Sequence, residues 1–515
     1  MAARTGEQYL ARLARHSPEV WVGDRRITDV TTDAAIGQPA REIARLYDLA
    51  SRPENSDFAV FDSPSSGQPV SSQFLVPKSR EDLVKRRQLH KLWADASYGM
   101  MGRTTDFMGS MLTAWNIYAD FFGAYADNVR NYFEYVREND LFLTHALIDP
   151  PVDRSKPPSE QPDDYTYLGV VKESDAGLVV RGAKMFATAA PYADEILVWP
   201  FATREPTERD ARYAIAFAIP TDSPGLRFIA RAPFGGGNLF DKPLASRFDE
   251  MDAVAVFDDV LVPWERVFIN QDHELVKNIW KVNSNAFTGV QTAARLQSKL
   301  QFVAGLVRRA TAAVQTDQFP QVRDSIGEIT TYIELIRAAL ESSEYSAKAG
   351  PEGTLIPNTA PLFAIRNSGN RWYPRSREVL QEVLAGSLLY QPASVTALRS
   401  PVRPDIDKFY RGPEVDAEER IKLFSIASDL AIDAFGGRHE LYERLYAGPP
   451  LFLRIATQYL QYDRTEPDQL VDELLGSFSA AEVLDGRPAP DQAGLVEADG
   501  DGRGVSPEVV AAERV

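Results

Sequence analysis

The stretch that decides the fold begins at residues 97–107, SYGMMGRTTDF, and ends at residues 141–164, LFLTHALIDPPVDRSKPPSEQPDD. Between these ends lies an aromatic-rich segment whose apolar residues recur every three or four positions, as in an amphipathic helix. From Asp149 onward, prolines and acidic residues are too closely spaced for a helix to continue. The stretch therefore predicts where a helical region ends and a region of another type begins.

The chain before this stretch has the same helical periodicity. It is clear in REIARLYDLA (residues 41–50) and in REDLVKRRQLHKLWADA (residues 80–96). One short piece, Val20 to Val30, alternates between apolar and polar residues and predicts a β-hairpin. We expect residues 1–150 to form a helical N-terminal domain.

After the proline-rich loop, the chain changes to strand-like runs and then returns to helical periodicity. Six runs between residues 166 and 263 are separated by turn residues, which predicts a β-barrel or β-sandwich over residues 151–270. Four long periodic segments predict a four-helix bundle over residues 271–484. Residues 485–515 are rich in Ala, Gly, Pro and acidic residues and are predicted to be disordered. The expected fold class is α+β with several domains.

Composition excludes several classes of protein. The formal net charge of −17 and the pI near 5.0 argue against an extended nucleic-acid-binding face, which needs clustered Lys and Arg. Because the 515 residues include no cysteine, disulfides, thiolate zinc sites, cysteine-held iron–sulfur clusters and cysteine nucleophiles are excluded. The N-terminus lacks the apolar core of a signal peptide, and no run of about 18 apolar residues occurs. We expect a cytoplasmic protein without a metal site and without nucleic-acid or membrane partners.

Seven pieces of the sequence resemble one family closely. They are ARTGEQYL at residue 3, MMGRTTDF at 100, NVRNYFEYVRENDL at 128, THALIDPPVDR at 144, GAKMFAT at 182, VPWERVF at 262 and FGGRHELYER at 435. In this order they are similar to the oxygenase component of two-component 4-hydroxyphenylacetate 3-monooxygenases and to the related chlorophenol and nitrophenol monooxygenases. The likeness runs from Ala3 to Tyr462.

The resemblance implies an acyl-CoA dehydrogenase-like fold, a homotetramer and an FAD-dependent phenol monooxygenase. Such an enzyme uses reduced FAD and O2 to hydroxylate a phenol similar to 4-hydroxyphenylacetate, ortho to its hydroxyl group, through a flavin C4a-hydroperoxide. The resemblance further implies that reduced FAD diffuses from a separate NAD(P)H-dependent flavin reductase. The chain agrees with this division of labour, because no G-x-G-x-x-G follows a predicted strand to hold a nicotinamide dinucleotide.

Arg103 and His145, near the two ends of the helical segment, match the arginine and histidine that contact the substrate hydroxyl in this family. We assign them as catalytic and substrate-binding residues, because a guanidinium favours phenolate and an imidazole can accept the phenol proton. Four residues after the arginine, on the same face of the predicted helix, Phe107 replaces a tyrosine of the hydroxyphenylacetate enzymes. Phe201 and Ala202 replace polar residues in the segment that covers the substrate. With Phe107, either the substrate hydroxyl is held by Arg103 and His145 alone or the substrate is a different phenol, and the changes at Phe201 and Ala202 favour a less polar side chain.

The resemblance also implies a set of FAD contacts. Thr188 matches the threonine that hydrogen-bonds near flavin N5. Gly436 and Gly437 fit either a helix C-cap or a contact with the flavin of a neighbouring subunit. The remaining positions that match residues lining the flavin are His145, Ala146, Leu147, Pro151, Val152, Asp153, Arg154, Gly448, Pro449, Pro450 and Leu451.

Alternative functions were weighed against this one. A dehydratase of the hydroxybutyryl-CoA type needs a cysteine-held cluster, which this chain cannot supply. An acyl-CoA dehydrogenase-like flavoenzyme needs a carboxylate base, and Glu328 and Glu334 have the spacing of solvated helix-surface charges. An inactive carrier is disfavoured because Arg103, His145 and Thr188 are all present. Oxidative removal of a halide or nitro group from a phenol uses the same core residues and stays open.

Overall fold

The N-terminal part of the chain is helical, and its helices begin where the sequence supplies capping side chains. The computed structural model describes residues 3–200 and 206–485. Thr5 with Gln8 caps the first helix and Ser79 with Asp82 caps the fourth, because each pair hydrogen-bonds backbone N–H groups that the helix leaves free. The helices are α1 (Gly6–Arg15), α2 (Gly37–Ala50), α3 (Ser56–Ala59), α4 (Arg80–Ala96), α5 (Thr105–Ile117) and α6 (Ala126–Asn139).

The aromatic-rich segment is helical, as predicted, but it is broken into pieces. Helix α5 is followed by a 3-10 segment, Ala119–Tyr125, before α6 begins. Within that segment Gly123 has φ of 56°, a left-handed value that glycine adopts without strain and that a continuing helix cannot contain. The helix α6 then ends at Asp140, which is also left-handed. The chain therefore leaves α6 abruptly and enters a β-strand.

Ten of the strands in the described residues form two facing sheets, while the other four form two separate two-stranded pairs, and each of the six predicted runs contains a strand. Phe217 and Phe257, one from each sheet, meet edge to face with 6.0 Å between ring centroids, and the main hydrophobic core contains residues from both sheets. The strands are β1 (Val20–Val22), β2 (Arg25–Ile27), β3 (Val60–Asp62), β4 (Pro69–Ser71), β5 (Leu143–Ala146), β6 (Gly169–Ser174), β7 (Gly177–Thr188), β8 (Glu195–Val198), β9 (Ala216–Pro220), β10 (Leu226–Ala230), β11 (Asp252–Pro263), β12 (Val267–Ile269), β13 (Lys348–Ala349) and β14 (Leu355–Ile356).

The larger sheet has the order β2-β1-β10-β11-β7-β6. The hairpin predicted near the N-terminus is confirmed, because β1 and β2 pair in antiparallel fashion. Strand β1 also pairs in parallel with β10, so that Val20 is the partner of Phe228. The sheet thus includes residues from the part of the chain that the sequence assigned to a helical domain.

The smaller sheet has the order β12-β9-β8-β5. Strand β5 runs parallel to β8, and His145 is the register partner of Leu197. All four residues of β5 are buried. His145 therefore lies in a buried strand and not at the end of a helix.

Long helices form the C-terminal part, and the four predicted bundle helices are present. The helix α9 packs against α10 and α11, and also against α4 and α5 from the N-terminal part. The predicted domain boundaries at residues 150 and 270 stay predictions. The helices are α7 (Ala245–Phe248), α8 (His273–Asn278), α9 (Ser284–Ala313), α10 (Pro320–Tyr345), α11 (Thr359–Leu384), α12 (Arg403–Phe409), α13 (Ala417–Ala431), α14 (Ala434–Leu445) and α15 (Pro450–Leu453).

The contacts within the chain divide it into two compact units, one ending at Gln458 and one beginning at Tyr459. In the second unit the described residues form α16 (Thr465–Gly476) and α17 (Ala480–Asp485). The tail predicted to be disordered lies, after Asp485, outside the described residues. Among the helices within residues 3–200 and 206–485, none combines the length and apolar character that crossing a bilayer requires.

Candidate active site

The loop between α4 and α5 carries Arg103 and is held by close backbone approaches. A Cβ atom on Gly99, whose φ is +67°, would lie 2.6 Å from the backbone nitrogen of Lys299. A Cβ atom on Gly102 would lie 2.2 Å from the hydroxyl oxygen of Tyr442. The backbone N–H groups of Gly102 and Arg103 both donate to Oε1 of Glu250, at 2.7 and 2.6 Å. The two glycines of GMMGR (residues 99–103) and one carboxylate therefore fix this loop.

The Arg103 guanidinium lies in an aromatic setting. Its Nη1 donates to the Tyr442 hydroxyl at 2.6 Å, and its Cζ lies 4.0 Å from the centroid of the Phe107 ring. Its Nη2 donates to the Tyr446 carbonyl at 3.4 Å. The residue is 8% exposed, and within the described chain no carboxylate pairs with its side chain. A buried guanidinium without a carboxylate can bind an anionic oxygen from a ligand.

The imidazole of His145 lies between two aromatic side chains. It stacks on Trp199, with 5.7 Å between centroids and 22° between ring planes, and lies 5.5 Å from the Phe107 ring centroid. Burial, together with the positive charge of Arg103, lowers the pKa of His145 well below its usual value of 6.5. Its Nδ1 is buried and has no hydrogen-bond partner among the described residues. The ring is therefore neutral near pH 7 and has a free nitrogen.

Phe107 joins the two candidate catalytic residues. Its ring contacts the Arg103 guanidinium and the His145 imidazole, so all three side chains converge on one place. The expectation that Arg103 and Phe107 share a helix face is wrong in detail, because α5 begins only at Thr105. The two side chains meet because the loop before α5 places the Arg103 guanidinium over the first turn of that helix.

Thr188 lies at the end of β7, close to this group. Its carbonyl accepts a hydrogen bond of 2.6 Å from the hydroxyl of Thr144, the residue before His145. Its own hydroxyl donates to Oδ1 of Asp252 at 2.8 Å, across the pair β7–β11. The structure thus brings Thr188 to the strand that carries His145 and commits its proton to a carboxylate.

Arg438 connects the Thr188 side with the Arg103 side. Its guanidinium donates to Asp252, at 2.9 Å from Nη2, and to Oε2 of Glu250, at 3.0 Å from Nη1. Glu250 and Asp252 flank Met251, a residue other than glycine with φ of 48°. Such a conformation is costly and persists only where the surroundings enforce it. One short segment therefore positions both the phenol-side arginine and the predicted flavin-side threonine.

The other predicted flavin positions lie in and just after strand β5, in a turn at residues 151–154, and in a turn at residues 448–449 that leads into α15. His145 and Ala146 are in β5, and the carbonyl of Leu147 accepts from Lys184 on β7. Pro151 to Arg154 form a largely exposed turn, in which Val152 is 60% exposed. Within the described residues, no hydrogen bond or ion pair joins this turn to Arg103.

The second turn follows α14 and lies beside the Arg103 side chain. Gly448 has φ of 111° there and is followed by Pro449, Pro450 and Leu451, of which the last is 67% exposed. The carbonyls just before the turn accept from Arg103 and Arg366. Gly436 and Gly437 lie within the first turns of α14, so a C-cap role is wrong. Phe201 and Ala202 lie outside the described residues.

Sequence reasoning missed several residues of the site, and Tyr442 is the most important. The motif FGGRHELYER was quoted for its resemblance, but its helical spacing was not used. Arg438, Tyr442 and Tyr446 follow one another at four-residue intervals, so they share one side of α14 and its exit. That spacing was the available signal. Trp199 was visible only as part of a strand-like run.

The rival carboxylate bases lie elsewhere. Glu328 accepts hydrogen bonds from Tyr332 and Arg375, and Glu334 pairs with Arg337 on the surface of α10. Neither residue contacts the group formed by Arg103, Phe107 and His145. The structure therefore gives no support to an acyl-CoA dehydrogenase base at these two positions.

The residues present fit a phenol beside a planar cofactor. An unpaired guanidinium and an unpartnered imidazole nitrogen flank aromatic side chains, and Thr188 approaches from the neighbouring strand. A phenolic oxygen can accept from the guanidinium and pass its proton to the imidazole. The aromatic side chains supply the apolar contact that the ring of a phenol requires.

The sequence matches the family described as 4-hydroxyphenylacetate 3-hydroxylase, with its N-terminal part over residues 5–269 and its C-terminal part over residues 277–476. A relative from Thermus thermophilus, named 4-hydroxyphenylacetate 3-monooxygenase oxygenase component, is 41% identical over 456 residues, 87% of this chain and 92% of its own. A relative from Rhodococcus, named 4-nitrophenol 2-monooxygenase, oxygenase component, is 34% identical over 498 residues, 95% of this chain and 94% of its own.

A solved structure gives the same result. The oxygenase component of 4-hydroxyphenylacetate 3-monooxygenase, complexed with FAD and 4-hydroxyphenylacetate, matches with a TM-score of 0.87 and 39% identity, over 92% of this chain and 98% of that chain. The predicted acyl-CoA dehydrogenase-like fold class is thereby confirmed. The chain belongs to the 4-hydroxyphenylacetate 3-hydroxylase family.

Proposed function

We propose that this protein is the oxygenase component of a two-component monooxygenase that uses reduced FAD and O2 to hydroxylate a phenol ortho to its hydroxyl group. The family match and the relatives with FAD and 4-hydroxyphenylacetate support this activity. The single observation that carries it within this chain is the convergence of Arg103 and His145 on Phe107, with the arginine lacking a carboxylate and the imidazole neutral.

The two polar residues act on the phenol oxygen. Arg103 binds that oxygen through charge-assisted hydrogen bonds and so favours the phenolate form. His145, whose pKa is lowered by burial and by the Arg103 charge, is unprotonated near pH 7 and can accept the phenol proton. Phenolate donates electrons to its ortho carbon, which is therefore the position hydroxylated. Phe107 and Trp199 keep water from the ring of the substrate.

The flavin positions are proposals for this chain. Thr188 faces the flavin ring from β7, the turn of Gly448 to Leu451 lies beside Arg103, and Pro151 to Arg154 contact its polar edge. When bound, reduced FAD supplies the two electrons and activates O2. These assignments rest on the resemblance and, for Thr188 and the Gly448 turn, on their closeness to His145 and Arg103.

The partners follow from the division into two components. The protein takes reduced FAD from an NAD(P)H-dependent flavin reductase, and we further propose a homotetramer located in the cytoplasm. The substrate is a phenol with a less polar side chain than 4-hydroxyphenylacetate, because the resemblance implies that Phe201 and Ala202 replace polar residues in the segment that covers the substrate. Displacement of a nitro or halide group is a second candidate, supported by the nitrophenol 2-monooxygenase relative.

A reconstituted assay tests the function. The protein is mixed with a flavin reductase, NADH, FAD and a panel of phenols, and catechol, nitrite and halide are measured. We expect catechol from at least one para-substituted phenol and no product when the reductase is left out. The absence of every oxygenated product while reduced FAD is consumed would refute the proposal.

A further inference from the structure

The hydroxyl group of Thr188 donates its proton to Asp252. Its Oγ1 lies 2.8 Å from Oδ1 of Asp252, and a carboxylate can only accept, so the hydroxyl must donate to it. The Thr144 hydroxyl donates a hydrogen bond of 2.6 Å to the backbone carbonyl of Thr188. The free side of the Thr188 oxygen therefore presents a lone pair.

Asp252 stays ionised because two arginines hold it. Burial opposes its charge, but Arg438 and Arg231 outweigh that effect and keep the pKa of Asp252 well below its usual value. Oδ2 accepts from Nε of Arg231 at 2.9 Å, and Oδ1 accepts from Nη2 of Arg438 at 2.9 Å. The carboxylate has no proton of its own to give to Thr188 at any pH near neutrality.

The two redox states of FAD differ at the atom that Thr188 is proposed to meet. Reduced isoalloxazine carries a proton on N5 and is a donor there, whereas the oxidised ring has a lone pair and is an acceptor. A hydroxyl that offers only a lone pair makes a hydrogen bond with the first and repels the second.

We infer that Asp252 is a positioning residue that turns the Thr188 hydroxyl away from the flavin, so that the site selects reduced over oxidised FAD. This inference rests on the proposed function, which places Thr188 against the flavin ring. Asp252 touches neither substrate nor the reacting atoms in this account and acts through Thr188.

Anaerobic titration of the full-length protein with reduced FAD, and separately with oxidised FAD, measures the ratio of the two dissociation constants. We expect Thr188→Val to reduce the preference for reduced FAD about three- to tenfold, the effect of one hydrogen bond. Asp252→Asn should reduce it similarly, since an amide can donate to Thr188 and release its proton toward the flavin. The double variant should lose no more than either single variant.

Matched variants separate this role from a structural one. Asp249→Asn removes another carboxylate that pairs with Arg231 but does not contact Thr188, and it should leave the ratio unchanged. Thr188→Ser keeps the hydroxyl and should keep the preference. If Asp252→Asn weakens both redox states equally, or if the two single effects add in the double variant, the inference is wrong.

Nitrogen NMR of reduced FAD labelled at N5 gives a second test that does not need Asp252→Asn to fold. The N5 resonance should shift toward that of a free, non-hydrogen-bonded amine in Thr188→Val relative to Thr188→Ser. An unchanged resonance would contradict the inference even if the enzyme is active. Failure of the wild-type protein to bind reduced FAD at all would instead refute the proposed function.

Discussion

Tyr442 lies between two buried arginines, Arg295 and Arg103, which differ in whether a carboxylate pairs with them. On one side Arg295 forms two hydrogen bonds with Glu443, at 2.6 and 2.8 Å, and Lys299 donates to the same carboxylate at 2.7 Å. On the other side Arg103 donates to the Tyr442 hydroxyl and has no carboxylate partner in the described part of the chain. In the first region one carboxylate pairs with both cations, whereas in the second no carboxylate among the described residues pairs with the arginine side chain.

The difference separates structure from function. The buried ion pair of Arg295 and Lys299 with Glu443 holds α9 against α14 and engages these charged groups with one another. A buried cation without a counter-charge is retained at a cost in stability, and an anionic ligand relieves that cost. We therefore expect the region of Arg295 and Glu443 to control stability. We expect the region of Arg103 to control whether the bound phenol is hydroxylated.

Glu443→Gln should have the largest effect, on stability. Removing this charge leaves Arg295 and Lys299 buried without a counter-ion, which typically costs about 3–5 kcal/mol. Denaturant unfolding at neutral pH measures the loss. Glu440→Gln, on the same helix but partly exposed, is the control and should cost less than about 1 kcal/mol. Equal losses of unfolding free energy in Glu443→Gln and Glu440→Gln would contradict the expectation that the buried Glu443 ion pair controls stability.

The pH dependence of the same pair sharpens this point. Despite burial, the charges of Arg295 and Lys299 lower the pKa of Glu443 from 4.5 to about 2. The unfolded state therefore binds a proton first as the pH falls. The stabilisation by Glu443 is complete above pH 4.5 and disappears as the pH falls toward 2. Unfolding curves across this range should be steeper in pH for the wild type than for Glu443→Gln.

Arg103→Ala should have the next largest effect, on coupling. Loss of charged hydrogen bonds to the phenolate, each worth about 1.5–3 kcal/mol, should lower catechol formed per NADH by about tenfold or more. Binding of reduced FAD should persist, as measured by anaerobic titration. Arg337→Ala, on the surface of α10, is the control. An unchanged yield of catechol per NADH in Arg103→Ala would show that Arg103 does not act on the phenol.

His145→Asn tests whether the imidazole is neutral in the folded protein. Because burial and the arginine lower the folded-state pKa of His145 well below 6.5, the unfolded state binds more protons below that pH. Wild-type stability should therefore fall as the pH drops below 6.5, and the variant should fall less, by up to about 1.4 kcal/mol per pH unit. His90 is also buried with a lowered pKa, but it contributes to both proteins and cancels in the comparison. Parallel curves would contradict the assignment.

Phe107→Tyr should have the smallest effect. The added hydroxyl supplies one hydrogen bond to the phenol oxygen, worth about 0.5–1.5 kcal/mol, so 4-hydroxyphenylacetate should bind a few-fold more tightly. Phenylacetate, which lacks the phenolic hydroxyl, is the control ligand and should show no gain. No change in the affinity for 4-hydroxyphenylacetate would mean that this position does not face the phenol oxygen.

Local patterns predicted the elements well, because periodicity and turn chemistry act over a few residues. The six strand-like runs and the four long C-terminal helices are all present. Apart from the hairpin β1–β2, which strands pair could not be predicted. The hairpin β1–β2 joins β10, more than two hundred positions away, and β5 joins β8 through long-range hydrogen bonds. Such pairings depend on contacts between distant parts of the chain, which a local pattern does not contain.

For the site, the sequence by itself determined the residue types and the family resemblance: an arginine after MMG, a histidine in THA, a threonine in GAKMFAT and no cysteine anywhere. Only the tertiary structure decided which of these charges are satisfied. Among the described residues the Arg103 side chain has the Tyr442 hydroxyl but no carboxylate as a partner, Arg295 pairs with Glu443, and Thr188 donates to Asp252. These partners come from distant positions because α14 and β11 bring them to within hydrogen-bond distance. The energy of a buried polar group depends on those neighbours, and folding alone brings them together.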